Sequence, residues 1–483
     1  MIDEKIERLK SSSSVPSSWM IVNLEDIGRW SSGGTPSRKY SEYYNGEIPW
    51  IKTGDLKDCL ILKADEYITE DALKNSSAKM FPKSSLLVAM YGATIGKLGI
   101  LNINATTNQA CAALIAEGLT TEIIPFIFYY LLFSRENLQR IGKGGAQPNI
   151  SQTVLKKYPC FLPPLNEQRR IVAKIEELSD RISKTRTELE AAREAVKQFR
   201  QSVLAAAFRG DLTANWEINQ DCQSPNIKII DEEKNSNYKL PDIADNWRWT
   251  NIGSVGNVKG GKRLPKGKKL LKDDTGYPYI RAGNLKQGTV IEEDILYISK
   301  DIFEVIKNYT VESGDIYITI VGACIGDSGI IPSHFSGASL TENAAKICQI
   351  NHLCNSEYLA LWLRSPLCQR FIHGNKMSGA QGKLALFRIK ALPLPLPPLE
   401  EQKEIVKRLE SAFEQADVIE TEIKASLEQL KTLEQAILAK AFRGELVPQD
   451  PNDEPASELL KRIEAAKTAA QPQRKTPKQQ RKR

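Results

Sequence analysis

A run of cations between glycines is the part of this sequence best suited to contact with an anionic partner. It begins at Lys259, reads KGGKRLPKGKKLLK and contains no acidic residue. Its glycines and proline indicate a loop. Basic loops of this kind suit contact with DNA phosphates, although a solvated surface loop is the plain alternative. The predicted DNA contacts here are Lys259, Lys262, Arg263, Lys266, Lys268 and Lys269.

Five further short stretches carry candidate DNA contacts. SSGGTPSRKY supplies Arg38 and Lys39, and the related segments IPWIKTGDL and YPYIRAGNL supply Lys52 and Arg281. Two glycine-rich loops supply the remaining candidates, which are Lys143, Gln147, Gln381 and Lys383. A glutamine amide can bond the edge of an adenine bidentately. A structural turn is an equal alternative for these two loops.

Motifs for catalysis are missing from the sequence. It contains no G-x-x-x-x-G-K-[ST] phosphate loop and no G-x-G-x-x-G fingerprint after a strand. Its histidines, His334, His352 and His373, all lie in the second half, and its eight cysteines lack metal-ligand spacing. We therefore expect a reader rather than a catalyst, with no metal and no cofactor bound by this chain.

Charge and hydropathy narrow the class of protein. Of 483 residues, 41% are hydrophobic and 26% are charged, which is typical of globular domains. The net charge of +7 equals that of the acid-free tail from Lys467 to Arg483, so the rest sums to zero. No apolar run is long enough to span a membrane, and the N-terminus lacks the apolar stretch of a signal peptide. We expect a cytoplasmic protein that contacts no membrane.

The chain repeats itself. Residues 162–212 align without gaps with 396–446, and about 22 of these positions are identical. The likeness continues upstream more weakly: YGATIGKLGI at Tyr91 matches VGACIGDSGI at Val321. Each half is therefore a variable region of mixed strand and helix followed by a better-matched segment. The close likeness of the two matched segments indicates that they share one role. The divergence of the two variable regions indicates that each has a different role.

The matched segment is predicted to be a long helix. Apolar residues recur at alternating steps of 4 and 3 over more than four heptads in both copies. Such a narrow stripe must be buried, and we expect the two helices to pair with each other antiparallel. Packing of each stripe on its own variable region is the alternative. The predicted seam is Ile171, Ile175, Leu178, Ile182, Leu189, Val196, Phe199 and Val203 with Ile405, Leu409, Ile419, Ile423, Leu430, Leu433 and Ile437.

The predicted fold class is α+β, with two pseudo-symmetric α/β domains separated by an antiparallel coiled coil of two long helices. The predicted boundaries are a first variable domain at 1–160, its helix at 161–212, a polar linker at 213–240, a second variable domain at 241–395, its helix at 396–466 and a basic disordered tail at 467–483.

Two variable regions, each followed by LPPL-x-EQ-x-x-IV and a heptad helix ending in AFRG-[DE]-L, closely resemble the specificity subunit of type I restriction-modification systems. The resemblance covers about Trp19 to Leu446. It implies that the variable regions are target recognition domains, each reading one half of an asymmetric bipartite DNA target. It implies helices that set the gap between the half-sites and dock two modification (methyltransferase) subunits.

The resemblance also implies which subunits catalyse the reactions. Restriction subunits would join through the complex, and S-adenosylmethionine, ATP and Mg would belong to the partner subunits. Two other hypotheses remain open from the sequence. One is a self-sufficient DNA methyltransferase or nuclease, although LPPLNE and LPPLEE lack the polar and aromatic residues of an N-P-P-[FY] loop. The other is a coiled-coil adaptor without DNA contact.

Overall fold

The chain divides into two compact units. The structure is a computed structural model that describes residues 16–142, 149–216, 225–227, 240–374 and 383–469. Unit 1 comprises Met1–Glu188 and Ser426–Arg483, and unit 2 comprises Leu189–Ala425. Each unit contains one mixed domain and a segment of each of two long helices. We call the domains the first domain (residues 16–162) and the second domain (residues 240–396).

The first domain is built from two sheets and short helices. Its described strands are β1 (Met20–Asn23), β2 (Trp30–Ser32), β3 (Tyr44–Ile51), β4 (Cys59–Ile61), β5 (Glu66–Ile68), β6 (Met80–Phe81), β7 (Leu86–Ala89), β8 (Leu98–Leu101), β9 (Ala105–Thr107), β10 (Cys111–Leu114) and β11 (Pro159–Leu162). Its described helices are α1 (Glu70–Lys74), α2 (Leu119–Phe133), α3 (Arg135–Gly142) and α4 (Gln152–Lys156). The sheet orders are β2-β10-β7-β8-β4 and β5-β3-β9-β6, with β1 paired to β11.

The second domain repeats this plan with smaller sheets. Its described strands are β12 (Arg248–Asn251), β13 (Asn257–Gly260), β14 (Pro278–Ile280), β15 (Leu285–Lys286), β16 (Thr289–Val290), β17 (Leu296–Tyr297), β18 (Ile316–Thr319), β19 (Ser328–Ile330), β20 (Ser339–Leu340), β21 (Ala344–Cys348) and β22 (Pro393–Leu396). Its described helices are α6 (Ile252–Val255), α7 (Lys300–Ile306), α8 (Ser356–Arg364), α9 (Pro366–Gly374) and α10 (Leu386–Lys390). The sheet orders are β13-β21-β18-β19 and β17-β14-β20, with pairs β15-β16 and β12-β22.

The central strand of each domain is buried on both faces. Leu86 and Val88 of β7 belong to the core beneath helix α2, whereas Leu87 and Ala89 belong to a second core. Side chains alternate between the faces of a strand, so a strand covered on both sides is apolar throughout. This arrangement explains the unbroken apolar run around β7.

The strand that closes the second domain is an edge strand rich in proline. In β22 (Pro393–Leu396), prolines alternate with leucines, and the strand pairs with β12. Proline lacks an N–H group, which is tolerated at a sheet edge. The carbonyls of Pro393 and Pro395 instead accept hydrogen bonds from Trp362 Nε1 at 2.8 Å and the Tyr358 hydroxyl at 2.7 Å. The closing strand is therefore fixed to helix α8 by side chains.

The matched segments form two helices of 43 residues each, α5 (Leu165–Ala207) and α11 (Leu399–Ala441). The repeated Glu-Gln pair near each start is buried, and Gln168 and Gln402 each donate to a preceding proline carbonyl. Both helices end before a glycine with positive φ, Gly210 or Gly444. Glycine adopts that conformation without steric cost, so it ends a helix well.

Within each unit the two long helices run antiparallel. In unit 1, Ile175 and Ile182 from the first half of α5 share a core with Ile437 near the end of α11. In unit 2, Leu204 near the end of α5 shares a core with Leu409 near the start of α11. The predicted fold class and antiparallel pairing are confirmed. The alternative, in which each helix packs only on its own domain, is wrong.

Three residues of the predicted seam are exposed in the structure. Phe199, Ile419 and Leu433 are 45%, 46% and 47% exposed. The buried row of α11 instead repeats every seven residues, and its described members include Leu409, Ala416, Ile423, Leu430 and Ile437. A helix turns every 3.6 residues and a heptad seam every 3.5, so one of two alternating rows can rotate outward. The remaining predicted seam residues are buried or half-buried.

A C-terminal helix, α12 (Ala456–Ala469), packs on the first domain within unit 1. Leu459 and Ile463 enter the domain core, and Lys467 donates to the backbone carbonyl of Asp26 at 2.8 Å. A disordered tail from Lys467 onwards was therefore the wrong prediction for the last turn of α12. The rest of that tail, residues 470–483, lies outside the described residues. Over the described ranges, no helix is long and apolar enough to cross a membrane.

Candidate nucleic-acid interface

Both domains hold their basic loops with the same backbone contacts. In the first domain, Gly33 passes so close to Thr107 that an added Cβ would lie 2.1 Å from its carbonyl oxygen. Gly261 of the second domain makes the same approach to Thr341, at 2.0 Å. Glycine is required at both positions because any side chain would collide with backbone. The glycines therefore anchor the loops to the neighbouring backbone.

An aromatic residue of the neighbouring sheet fixes each loop a second time. Trp50 Nε1 donates to the Gly34 carbonyl at 3.0 Å, and the Tyr279 hydroxyl donates to the Lys262 carbonyl at 2.8 Å. Trp50 and Tyr279 occupy equivalent positions in IPWI and YPYI. The basic loop is thus anchored by equivalent contacts in both domains, whereas the side chains that it carries differ.

Two of the candidate DNA-contacting cations in the first domain are paired with the same carboxylate. Lys52 Nζ lies 2.5 Å and Arg38 Nη2 lies 2.6 Å from the two oxygens of Glu66. The hydrogen bond from Lys52 lowers the pKa of Glu66, and the same bond raises the pKa of Lys52. The Arg38 guanidinium also stacks 4.2 Å from the centroid of Tyr44. Two predicted DNA contacts thus share one carboxylate.

Lys39 keeps its charge available, since it is exposed and makes no ion pair with a described residue. A cation that sequence analysis missed lies nearby: Lys79 Nζ donates to Ser31 Oγ at 3.1 Å. The sequence indicates Lys79 only through its basic side chain, because Lys79 immediately precedes β6 and lies far along the chain from the basic loop.

The second basic loop carries more free charge. Arg263 pairs with Glu342 at 2.6 Å and Lys268 with Asp301 at 2.8 Å. Lys262 lies 5.3 Å from the centroid of the Tyr309 ring. Four further lysines are exposed and make no ion pair within the described ranges: Lys259, Lys266, Lys269 and Lys272. We call these four the unpaired lysines. Lys259, Lys266 and Lys269 are predicted contacts, and Lys272 ends the same basic run.

Lys52 and Arg281 occupy the same structural position. Each immediately precedes a 3₁₀ turn, Thr53–Asp55 or Ala282–Asn284, and its backbone N–H donates to the third residue of that turn. An added Cβ on Gly54 or Gly283 would meet nothing within 4 Å, so both turns face open space. A cation beside an open glycine turn can approach a phosphate closely.

The glycine-rich loops lie partly outside the described residues, which leaves Lys143, Gln147 and Gln381 without a described position. Their anchors are described. Asn149 forms a bridge with Tyr91, and Lys383 forms the equivalent bridge with Val321. The glycine turns that follow Tyr91 and Val321 therefore lie beside Asn149 and Lys383, the described ends of these loops.

Equivalent residues on the adjacent helices hold these glycine turns. Arg135 Nε donates to the Gly96 carbonyl at 3.0 Å, and Gln369 Nε2 donates to the Gly326 carbonyl at 3.0 Å. The sequence match did not identify this pair, because arginine and glutamine are unlike. Tyr91 is exposed in the first domain at the position of Val321 in the second.

No cluster of three or more His, Cys, Asp or Glu residues that could hold a metal ion occurs in the described part of the chain. The geometry offers basic loops on fixed frameworks, and it supports contact with an anionic polymer. The model of the family described as "Type I restriction modification DNA specificity domain" matches residues 16–191 and 244–429. The chain belongs to this family.

Two specificity subunits of this family match this chain over nearly their whole length. The specificity subunit of the type I restriction enzyme EcoBI from Escherichia coli is 33% identical over 97% of this chain and 96% of its own. That of EcoKI from Escherichia coli strain K12 is 25% identical over 95% of this chain and 98% of its own.

Solved structures share the fold. A chain from work on complex assembly and conformational transition of the type I R-M system has a TM-score of 0.67 at 19% identity, covering 89% of this chain and 99% of its own. The HsdS subunit from Thermoanaerobacter tengcongensis has a TM-score of 0.54 at 19% identity, covering 90% of this chain and 100% of its own.

Proposed function

We propose that this chain reads the DNA target for a type I restriction-modification complex, and that each domain reads one half of a bipartite target. One observation carries the proposal: both domains hold their basic loops on the same backbone framework, yet they present different side chains. Lys52 stands where the second domain has Arg281, and Tyr91 stands where it has Val321. Equal frameworks place the loops alike, and unlike side chains read unlike bases. The target is therefore asymmetric.

The long helices set the gap between the half-sites in this proposal. A helix of 43 residues is roughly 64 Å long at a rise of about 1.5 Å per residue. Two sites on one face of DNA have centres about 34 Å, or a multiple of that, apart. Rigid antiparallel helices suit such a spacing, since a flexible linker would leave it undefined.

Two modification subunits dock on the outer surfaces of these helices. Four large apolar side chains on the helices are exposed, although heptad packing alone would leave mainly polar residues there: Phe199, Val418, Ile419 and Leu433. Exposed apolar residues among charged ones are typical of protein interfaces. Restriction subunits join through the same complex.

The reactions belong to the partner subunits. S-adenosylmethionine serves adenine methylation there, and ATP and Mg serve translocation and cleavage. Purified chain incubated with labelled S-adenosylmethionine and DNA should transfer no label, and added modification subunits should restore transfer. Label on DNA from the chain alone would support the self-sufficient methyltransferase instead.

Exchange of a domain tests the reading role. Residues 1–160 are replaced by the corresponding segment of another family member, and methylated adenines are mapped across the genome before and after. One half of the methylated sequence should change, while the other half and the gap stay. A change in both halves would contradict separate reading, and an unchanged target would favour an adaptor without DNA contact.

A further inference from the structure

The basic loop of the first domain exposes an aromatic ring. Tyr40 is 50% exposed, and its ring packs against that of Tyr43, with 5.1 Å between the ring centroids. Tyr43 in turn packs on the small core that contains Trp50. Tyr40 is therefore supported on one side, while the rest of its side chain faces solvent.

Hydrogen bonds fix the backbone on both sides of this ring. The Tyr44 hydroxyl donates to the Pro36 carbonyl at 2.6 Å, and the Thr69 N–H donates to the Tyr43 carbonyl at 3.0 Å. The Tyr43 N–H itself donates to the Tyr40 carbonyl at 3.1 Å. A side chain on so constrained a backbone loses little conformational freedom when a ligand covers it.

This loop carries little free positive charge. Residues 33–50 contain two cations and two acids, whereas the equivalent residues 261–279 contain six cations and two acids. Arg38, one of the two cations of the first loop, is also paired with Glu66 at 2.6 Å. Release of counter-ions from phosphates therefore contributes less to binding by the first loop than by the second.

The two loops nevertheless occupy equivalent positions in their domains. Gly33 and Gly261 anchor them to the neighbouring backbone, and Trp50 and Tyr279 make equivalent hydrogen bonds to them. The lysine-rich second loop suits a polyanion, so we expect the equivalent first loop to meet the same polymer. DNA offers a loop with little free charge another kind of contact, because base faces stack on aromatic rings.

We propose that Tyr40 stacks on a base of the first half-site, so that the first domain holds DNA through an aromatic face where the second uses lysine side chains. This inference rests on the proposed function. A methyltransferase takes its target base out of the duplex, which uncovers the faces of neighbouring bases, and apolar side chains can wedge between base steps. The second loop offers no such ring: residues 261–276 contain no aromatic residue, and Leu264 and Leu270 pack on a core of their own domain.

The test measures how salt affects DNA binding by the full chain assembled with its modification subunits. The probe is a fluorescent duplex that carries the target mapped from methylated adenines, titrated in about 50 to about 200 mM salt. Tyr40→Ala should weaken binding roughly 5- to 150-fold, as loss of one base–aromatic stack does, at every salt concentration. The slope of log binding constant against log salt concentration should stay that of the wild type. Lys269→Ala in the second loop should instead reduce this slope by about one.

Further variants identify the chemistry of the contact. Tyr40→Phe should bind nearly as well as the wild type, because it keeps the ring. Tyr40→Leu should bind as weakly as Tyr40→Ala, because it keeps an apolar side chain but removes the flat face on which a base stacks. Leu62→Ala is the matched control, since it removes an exposed apolar side chain from the same domain, and it should leave binding unchanged.

Several results would overturn the inference. Equal binding by the wild type and Tyr40→Ala would do so, and so would equal losses for Tyr40→Ala and Leu62→Ala. Wild-type binding by Tyr40→Leu, or a slope reduced as much as by Lys269→Ala, would show an apolar or ionic contact instead of a stack. Loss of assembly by Tyr40→Ala in the absence of DNA would make the ring a subunit contact. Failure of the wild-type complex to bind the mapped duplex would refute the proposed function itself.

Discussion

A buried carboxylate at the start of each long helix gives the sharpest test of the structure. Glu401 is 3% exposed and accepts hydrogen bonds from three side chains of unit 2. They come from Trp247 Nε1 at 3.0 Å, Thr213 Oγ1 at 2.8 Å and Asn246 Nδ2 at 2.8 Å. Its counterpart Glu167 is 1% exposed and accepts a hydrogen bond from Trp19 Nε1 at 3.0 Å. The pair therefore provides a variant and its matched control.

The amide variants should differ in stability. Hydrogen bonds to a charged group contribute about 1.5–3 kcal/mol each, and neutral ones about 1 kcal/mol. Glu401→Gln weakens the bonds from Trp247 and Thr213 and turns an amide N–H₂ towards Asn246, so we expect a loss of roughly 2–3 kcal/mol. Glu167→Gln keeps an acceptor for Trp19 and removes a buried charge, so we expect about 0–1 kcal/mol.

The stabilisation that Glu167 provides should depend on pH. Burial raises the pKa of Glu167 above its ordinary value of 4.5. A raised folded-state pKa means that the folded state holds the proton more tightly. The stabilisation is therefore present below pH 4.5 and is lost as pH rises through the higher folded value. Glu167→Gln should gain in stability relative to wild type over that rise.

Native-state hydrogen exchange measures both effects in the intact chain. Amides of β12 and β22 report on the second domain, and those of β1 and β11 on the first. A loss of about 2 kcal/mol corresponds to roughly 30-fold faster exchange in the second domain for Glu401→Gln. Equal effects of the two substitutions, or a larger one for Glu167→Gln, would refute the reasoning.

Three further predictions follow from the packing and charge. Phe442→Ala should destabilise unit 1 by about 3–5 kcal/mol, because it leaves a cavity among aromatic rings of α2. Phe208→Ala should destabilise unit 2 to the same extent, because it leaves a cavity beside α8. Hydrogen exchange would measure each loss of stability, and an unchanged exchange rate would contradict this packing. Ile423→Ala should lower the free energy of urea unfolding by about 2–4 kcal/mol and Ile419→Ala by less than about 1 kcal/mol, because of the two only Ile423 is buried. Similar losses for the two variants would support a seam that buries both residues, as the heptad pattern predicts. Substitution of each unpaired lysine by alanine should reduce the slope of log binding constant against log salt concentration by about one. Arg263→Ala should reduce this slope less, because Arg263 is already paired with Glu342. Equal slopes for the wild type and the lysine variants would show that these lysines do not contact DNA.

Much of the candidate interface was accessible from sequence because it is local. The duplicated GG, IPW and YGATIG-type segments indicated equivalent loops, and the comparison of Lys52 with Arg281 was confirmed as one structural position. The ion pairs that neutralise some of these cations could not be predicted from the sequence. Glu66 lies 28 residues from Arg38 and neutralises it, and Glu342 lies 79 residues from Arg263. Only a folded chain reveals which cations remain available for DNA. Whether the predicted residues contact DNA stays a prediction.

The sequence by itself determined the duplication, the long helices and the family, since each can be recognised from local residue spacing and repeated motifs. Only the tertiary structure decided which heptad row is buried, because helix rotation depends on the partner that each helix meets. It also decided where the repeated AFRG segments pack. Phe208 follows the first domain in sequence yet lies 5.2 Å from Trp362 of the second domain, and Phe442 lies 5.3 Å from Tyr130 of the first. Antiparallel helices bring the end of one beside the start of the other, and burial of an aromatic ring then depends on residues more than 100 positions away.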